Sequence, residues 1–320
     1  MDYRHLGRSG VRLSSIGLGS WLTYGNQVDR DMSASCIKRA FELGVNFFDT
    51  ADVYHVGAGE TELGLALEGI ERSDYVLATK CYWPMSDNTN NRGLSRKHIM
   101  ESIDKSLRRL KTDYVDIYQC HRYDDQTPLD ETLRALDDLV RQGKVLYAGI
   151  SEWEAGQIKA AVDYAHAHEL NQIVSSQPQY NMIWRVIEKD VIPVCEEVGV
   201  GQVVWSPLAQ GVLTGKYQPG QPLPPDSRAA DERASGPIQG YLRDDVLNAV
   251  VKLKPIAEEA GITMAQMALA WVLRQPNVTS AITGATRPQQ VEDNVKAVDI
   301  KLDAATLAAI DTALEGVIRF

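Results

Sequence analysis

Ala40-Phe41-Glu42-Leu43-Gly44-Val45-Asn46-Phe47-Phe48-Asp49 packs a helix end, a reversal and a strand into one short run. The glycine suits the left-handed position that stops a helix and turns the chain, and a short apolar strand follows at once. The same pattern returns at Leu139-Val140-Arg141-Gln142-Gly143 before Val145, and at Cys195-Glu196-Glu197-Val198-Gly199 before Val203. Helices that hand over directly to strands imply parallel pairing, because each crossover must carry the chain back across the sheet.

Working outward, strands are expected near residues 16–20, 45–48, 75–79, 114–120, 145–148, 173–177, 202–205 and 278–283. Ser95 is placed to cap a helix with Ile99, Ile103, Leu107 and Leu110 on one face, and Glu101/Lys105 and Asp104/Arg108 pair on the other. Eight strands alternating with helices predict an α/β chain folded as a (β/α)8 TIM barrel. Tyr3 to Leu13 reads as a β-hairpin placed before it. Residues 1–320 are expected to form one domain, with 219–240 as a long loop on one barrel face.

The chain has 320 residues, 33 Lys+Arg against 43 Asp+Glu, and 44% hydrophobic residues. That composition excludes a disordered chain and a small disulfide scaffold. The acidic total argues against a nucleic-acid binder. No apolar run approaches the roughly 18–20 residues of a membrane span, and the N-terminus lacks a signal-peptide core, so no membrane insertion is expected. Cys36, Cys81, Cys120 and Cys195 lie far apart. They read as small buried hydrophobes in a reducing cytoplasm, and no metal is expected.

A parallel barrel carries its active site at the C-terminal ends of its strands. There, Asp49, Lys80 and His121 each follow an apolar strand, and Tyr54 lies on the loop after Asp49. Singly these would be a turn cap, a solvated strand end, a satisfied histidine and an ordinary aromatic. Together they suit general-acid catalysis. A lysine ammonium favours the tyrosine phenolate, Asp49 keeps the lysine charged, and His121 can hydrogen-bond the oxygen being protonated. Such a set supplies no electrons, so a reductase needs a hydride donor.

Gly17-Leu18-Gly19 lacks the rest of a Rossmann fingerprint. Barrels instead bind phosphates on the loops after their last strands. Gly211 to Lys216 with Arg228, and Gly284-Ala285-Thr286-Arg287-Pro288 opening a helix, supply glycines and cations there.

Phe47-Phe48-Asp49-Thr50-Ala51-Asp52-Val53-Tyr54, Trp205-Ser206-Pro207-Leu208 and Gly284-Ala285-Thr286 through Asn294 resemble the aldo-keto reductases. Tyr3-Arg4-x-Leu6-Gly7, Gly93-Leu94-Ser95-Arg96-Lys97-His98-Ile99 and Gly211 through Tyr217 resemble in particular the voltage-gated potassium channel β-subunits and their bacterial relatives. The resemblance implies a barrel that binds NADPH, with Asp49, Tyr54, Lys80 and His121 as its catalytic tetrad. It implies that Ser151, Gln177 and the stretch Trp205, Ser206, Pro207, Leu208 through Gly211 contact the cofactor, with Trp205 on the nicotinamide. Lys216 then meets the pyrophosphate, Thr286 and Gln290 lie near the adenosine 2′-phosphate, and Arg228, Gly284, Asp293 and Asn294 also contact the cofactor. Arg287 is added because a guanidinium suits a phosphate dianion.

Channel β-subunits commonly carry Asn where this chain has His121, which favours a working reductase. Because the sequence opens on the hairpin, the long N-terminal extension of some β-subunits is not expected. Glu152 stands where a neutral or basic residue is more usual, and Gln210 replaces a small one. The resulting expectation is NADPH-dependent reduction of aldehydes or ketones, with Trp21, Tyr82, Trp83 and Tyr123 around an apolar or aromatic substrate. Relatives include tetramers and larger rings, so a homo-oligomer is expected. The alternatives are a redox-sensing, cofactor-binding regulatory subunit of a membrane channel, and an aldolase-like lyase using Lys80 as a Schiff base.

Overall fold

The computed structural model describes residues 1–21, 29–225, 227–231 and 235–320. Two short strands, β1 (Tyr3–His5) and β2 (Arg12–Ser14), form the antiparallel hairpin. Eight parallel strands then close a barrel. They are β3 (Ile16–Gly19), β4 (Phe47–Asp49), β5 (Val76–Cys81), β6 (Val115–Cys120), β7 (Val145–Ile150), β8 (Ile173–Ser176), β9 (Gly201–Val204) and β10 (Val278–Thr283). They pair in chain order, and β10 closes on β3. The expected fold and strand number are both found.

Helices α1 (Arg30–Glu42), α2 (Ala58–Ala66), α3 (Arg96–Leu110), α4 (Leu129–Arg141), α5 (Ala155–Ala167) and α6 (Val191–Val198) follow the first six barrel strands in turn. After β9 come α7 (Asp244–Val251), α8 (Leu253–Glu259) and α9 (Met264–Leu273); after β10 come α10 (Pro288–Val295) and α11 (Ala304–Ala313). Among the described residues, no helix is long and apolar enough to cross a membrane.

Gly44, Gly143 and Gly199 stand at φ +85°, +71° and +81°, the left-handed conformation their positions demanded. Ser95 accepts from the backbone N–H of His98, and Ile99, Ile103, Leu107 and Leu110 are buried. The outer pairing differs from expectation. Glu101 pairs with Lys97, on its own helix, and Asp104 with Lys144, just past the end of α4, at 2.7 Å.

The hairpin sits against the N-terminal ends of the strands. Ser14 N–H donates to Asn46 Oδ1 at 2.7 Å, Arg8 N–H to Gly199 O at 2.9 Å, and Thr279 Oγ1 to His5 O at 3.1 Å. Leu6 and Leu13 are fully buried with Phe47, Val76, Ala78, Ile117 and Val203, so the hairpin completes the barrel's interior at that end. All four cysteines are buried and unlinked, and burial raises their thiols, to about 12 for Cys120 and Cys195. They behave as apolar side chains.

Candidate active site

Strand periodicity brings the polar residues to one end of the barrel. Side chains alternate across a strand. Phe47, Val76 with Ala78, and Ile117 fill the interior layers of β4, β5 and β6. Two residues further along each strand, the interior positions are Asp49, Lys80, and Gln119 followed by His121. Asp49 and Lys80 thus lie inside their strands rather than just after them, one layer above the apolar core.

Lys80 is fully buried and its ammonium is saturated. Nζ donates to Asp49 Oδ2 at 2.7 Å, to Thr50 O at 2.7 Å and to Tyr54 Oη at 3.2 Å. Asp49 also accepts from Gln177 Nε2 at 2.8 Å, and Ser151 Oγ donates to Gln177 O at 2.8 Å. His121 stacks edge-on to Tyr54, with ring centroids 5.8 Å apart. The chain leaves Tyr54 through His55, Val56 and Gly57, all at positive φ, and α2 starts at Ala58. This tight reversal fixes the tyrosine on the barrel rim.

The electrostatics revise one expectation. Burial pushes the Tyr54 hydroxyl above the ordinary phenol range, and the Lys80 charge offsets this only in part. Tyr54 is therefore a neutral acid whose anion Lys80 stabilises, not a phenol already acidic at rest. Burial alone would lower Lys80, but Asp49 and Tyr54 together outweigh it and hold the ammonium above its usual range. Burial, with the charges of Lys80 and Arg122, drives His121 well below the usual imidazole range, so the ring is neutral.

These residues open into a cleft of about 1180 Å³, larger than the roughly 300–1,000 Å³ of a drug-sized site. Its wall includes Asp49, Tyr54 and His121, and every expected cofactor residue except Arg287: Ser151, Gln177, Trp205, Ser206, Pro207, Leu208, Gly211, Lys216, Arg228, Gly284, Thr286, Gln290, Asp293 and Asn294. Arg287 is the exposed residue before Pro288, and its side chain is not in the wall. Trp21 and Trp83 line the cleft, but Tyr82 and Tyr123 do not. Tyr82 packs on Trp83 at 5.1 Å and Tyr123 on Trp153 at 4.8 Å, and both lean on the hydrophobic core.

The 219–240 loop contributes Pro225, Ser227, Arg228 and Asp231 to the wall; its residues 226 and 232–234 lie outside the described residues. Three residues at the site have partners or a position that the sequence reading did not assign. Glu152 turns away from the cleft at φ +57° and accepts from Trp205 Nε1 at 2.7 Å and from Gln179 N–H at 2.6 Å. Gln210, at φ +59°, bridges the two sides: its amide donates to Ser206 Oγ and accepts from Arg228 Nη1. Arg122, beside His121, also lines the cleft. Only Glu152 and Gln210 had a signal in the sequence, as departures from a pattern.

The cleft suits an anionic dinucleotide on its own terms. Arg228 is half-buried with no carboxylate partner among the described residues, and desolvation lowers its guanidinium. A phosphate relieves such an arrangement. Gly211 stands at φ +97°, and a Cβ there would lie 3.3 Å from Lys216 Cε, so the missing side chain lets the lysine lie close over the backbone.

Comparison with known proteins agrees with the architecture. Residues 15–315 match the model of the Aldo/keto reductase family. A protein of Arabidopsis thaliana named "Probable voltage-gated potassium channel subunit beta" is 46% identical over 303 residues, 94% of this chain and 92% of its own. One of the same name from Oryza sativa subsp. japonica is 45% identical over the same shares. Members of the matched family generally bind NAD(P)H. The chain thus belongs to the aldo/keto reductase family of oxidoreductases.

Proposed function

We propose that the protein reduces aldehydes or ketones to alcohols at the expense of NADPH, with Tyr54 as the general acid. The observation that carries this reading is the contact of 3.2 Å between Lys80 Nζ and Tyr54 Oη, with Asp49 behind the lysine at 2.7 Å and an open cleft in front. When bound, the dinucleotide supplies the hydride that reduces the carbonyl carbon.

The chain's own residues do the rest. Ser151, Gln177 and Trp205 hold the nicotinamide end, beside Asp49. Lys216 and Arg228 hold the pyrophosphate. Thr286 and Gln290 lie at the N-terminus of α10, where backbone N–H groups favour the adenosine phosphate. Tyr54 gives its proton to the carbonyl oxygen, and Lys80 stabilises the resulting phenolate. Neutral His121 is a second group able to hydrogen-bond that oxygen. Trp21, at 5.6 Å from Trp205 and 6.3 Å from Tyr54, and Trp83, at 6.3 Å from His121, form an aromatic mouth suited to an apolar carbonyl compound. The three hydrogen bonds of Lys80 use all its N–H donors and leave it no lone pair, which argues against the lyase reading.

A panel of aldehydes and ketones, each followed by loss of nicotinamide absorbance with NADPH and with NADH, tests the proposal. Turnover with NADPH on several carbonyls is expected. The names of the relatives favour a second reading, a channel β-subunit, which we take to be a cofactor-binding, redox-sensing partner of a membrane channel. Tight NADPH retention, negligible turnover on every carbonyl and a co-purifying channel would select it.

A further inference from the structure

Arg122 is a cation at the mouth with no counter-ion among the described residues. It follows His121 directly, at the C-terminal end of β6, and lines the cleft half-buried. Nη1 donates to the carbonyl oxygen of His121 at 2.6 Å, which folds the side chain back over the rim. The guanidinium lies 5.6 Å from the ring centroid of Trp83, a side chain that is itself 38% exposed. No other acceptor among the described residues meets it. The nearest carboxylate in sequence is engaged elsewhere: Asp124 is buried and accepts from the N–H groups of Leu94 and Gln126 and from Thr127 Oγ1. A guanidinium offers a fork of N–H donors matched to a carboxylate, and one prong only is used.

We propose that Arg122 selects carbonyl substrates that carry a carboxylate close to the reacting group. This rests on the carbonyl-reductase reading. Arg122 and His121 are neighbours in the chain and share the cleft wall, so one small molecule presents its carbonyl oxygen to Tyr54 and His121 and its anion to Arg122. Trp83, between the two, covers the apolar body. The charge of Arg122 is felt at both Tyr54 and His121, which places it at the reacting end of the cleft rather than at the end that carries Lys216 and Arg228. The family-level chemistry does not require this preference. It follows from one side chain that meets no carboxylate among the described residues.

The test compares 4-carboxybenzaldehyde with its neutral methyl ester on the NADPH-loaded protein, in wild type, Arg122→Met and Arg122→Lys. Wild type should prefer the acid in kcat/KM by a factor on the order of 10 to 100, the range of one charge-assisted hydrogen-bonded pair. Arg122→Met should erase that preference mainly through KM, because the ion pair is the same before and during the chemical step. Arg122→Lys should keep part of it. Equal use of acid and ester by wild type, or an equal loss on both in Arg122→Met, overturns the assignment and leaves the reductase reading standing. If neither these aldehydes nor any other carbonyl of the panel is reduced, the reductase reading falls. Calorimetric titration with benzoate against benzamide then decides the anion site alone: benzoate binding lost in Arg122→Met keeps it, and no benzoate binding removes it.

Discussion

Trp205 Nε1 donates to Glu152 Oε1 at 2.7 Å, and the same oxygen accepts from the Gln179 backbone N–H. An acidic residue that looked out of place beside a cofactor thus serves as a bracket for an aromatic wall. Glu152→Ala should let the indole turn and weaken NADPH binding by roughly 10-fold, the scale of one hydrogen bond to a charged group. Glu152→Gln keeps an acceptor oxygen and should recover most of that loss. Titration of intrinsic tryptophan fluorescence with NADPH reads both variants.

Tyr54→Phe removes the proton donor and leaves the ring. Turnover on the best carbonyl substrate should fall by roughly 10²- to 10⁴-fold, the range for a general acid. The NADPH dissociation constant should move by no more than about 3-fold. Near-normal turnover would remove Tyr54 as the acid.

The Lys80–Asp49 pair predicts a different pattern. Lys80→Met strands a buried carboxylate and should cost about 3–5 kcal/mol of stability, besides abolishing turnover. Adding Asp49→Asn should restore much of the stability but none of the activity, a coupling that urea melts of the two single variants and the double variant would measure.

Behind the site, Asp52 gives a pH signature. It is buried near Glu60, whose carboxylate is held by Thr79 Oγ1 at 2.5 Å and Arg109 Nε at 2.6 Å. Burial, with the Glu60 charge, pushes the Asp52 carboxyl up from 3.8 to about 8. The folded chain then keeps a proton that the unfolded chain releases. Between about pH 4 and 8 this group's contribution to stability falls as pH rises, and it is level above that. The slope approaches about 1.4 kcal/mol per pH unit. Asp52→Asn should flatten it, so the variant gains on wild type between pH 5 and pH 8. Urea midpoints of the two proteins at both pH values check the sign.

Much of this was legible in the chain itself. The helix–glycine–strand runs at Gly44, Gly143 and Gly199 could be read because a left-handed turn leaves few residue choices. The barrel followed from that order, the family match bears out the resemblance, and most residues that line the cleft had been named from the chain. Other parts depended on geometry that no local pattern encodes. Tyr82 and Tyr123 carry the right chemistry but lie behind the wall, because which side of a loop faces the cleft is settled by packing. The charge beside Tyr54 was visible in the spacing; the burial that outweighs it was not. Glu152 and Gln210 act through backbone at positive φ, so their partners could not be named from neighbours in the chain.

The hairpin of β1 and β2 has a consequence for anyone altering this protein. It corks one end of the barrel, and the groups that greet a visitor stand at the opposite end from the stopper. Redesign of the threshold can therefore proceed without loosening the seal, and what the vessel admits can change while the vessel itself stays shut.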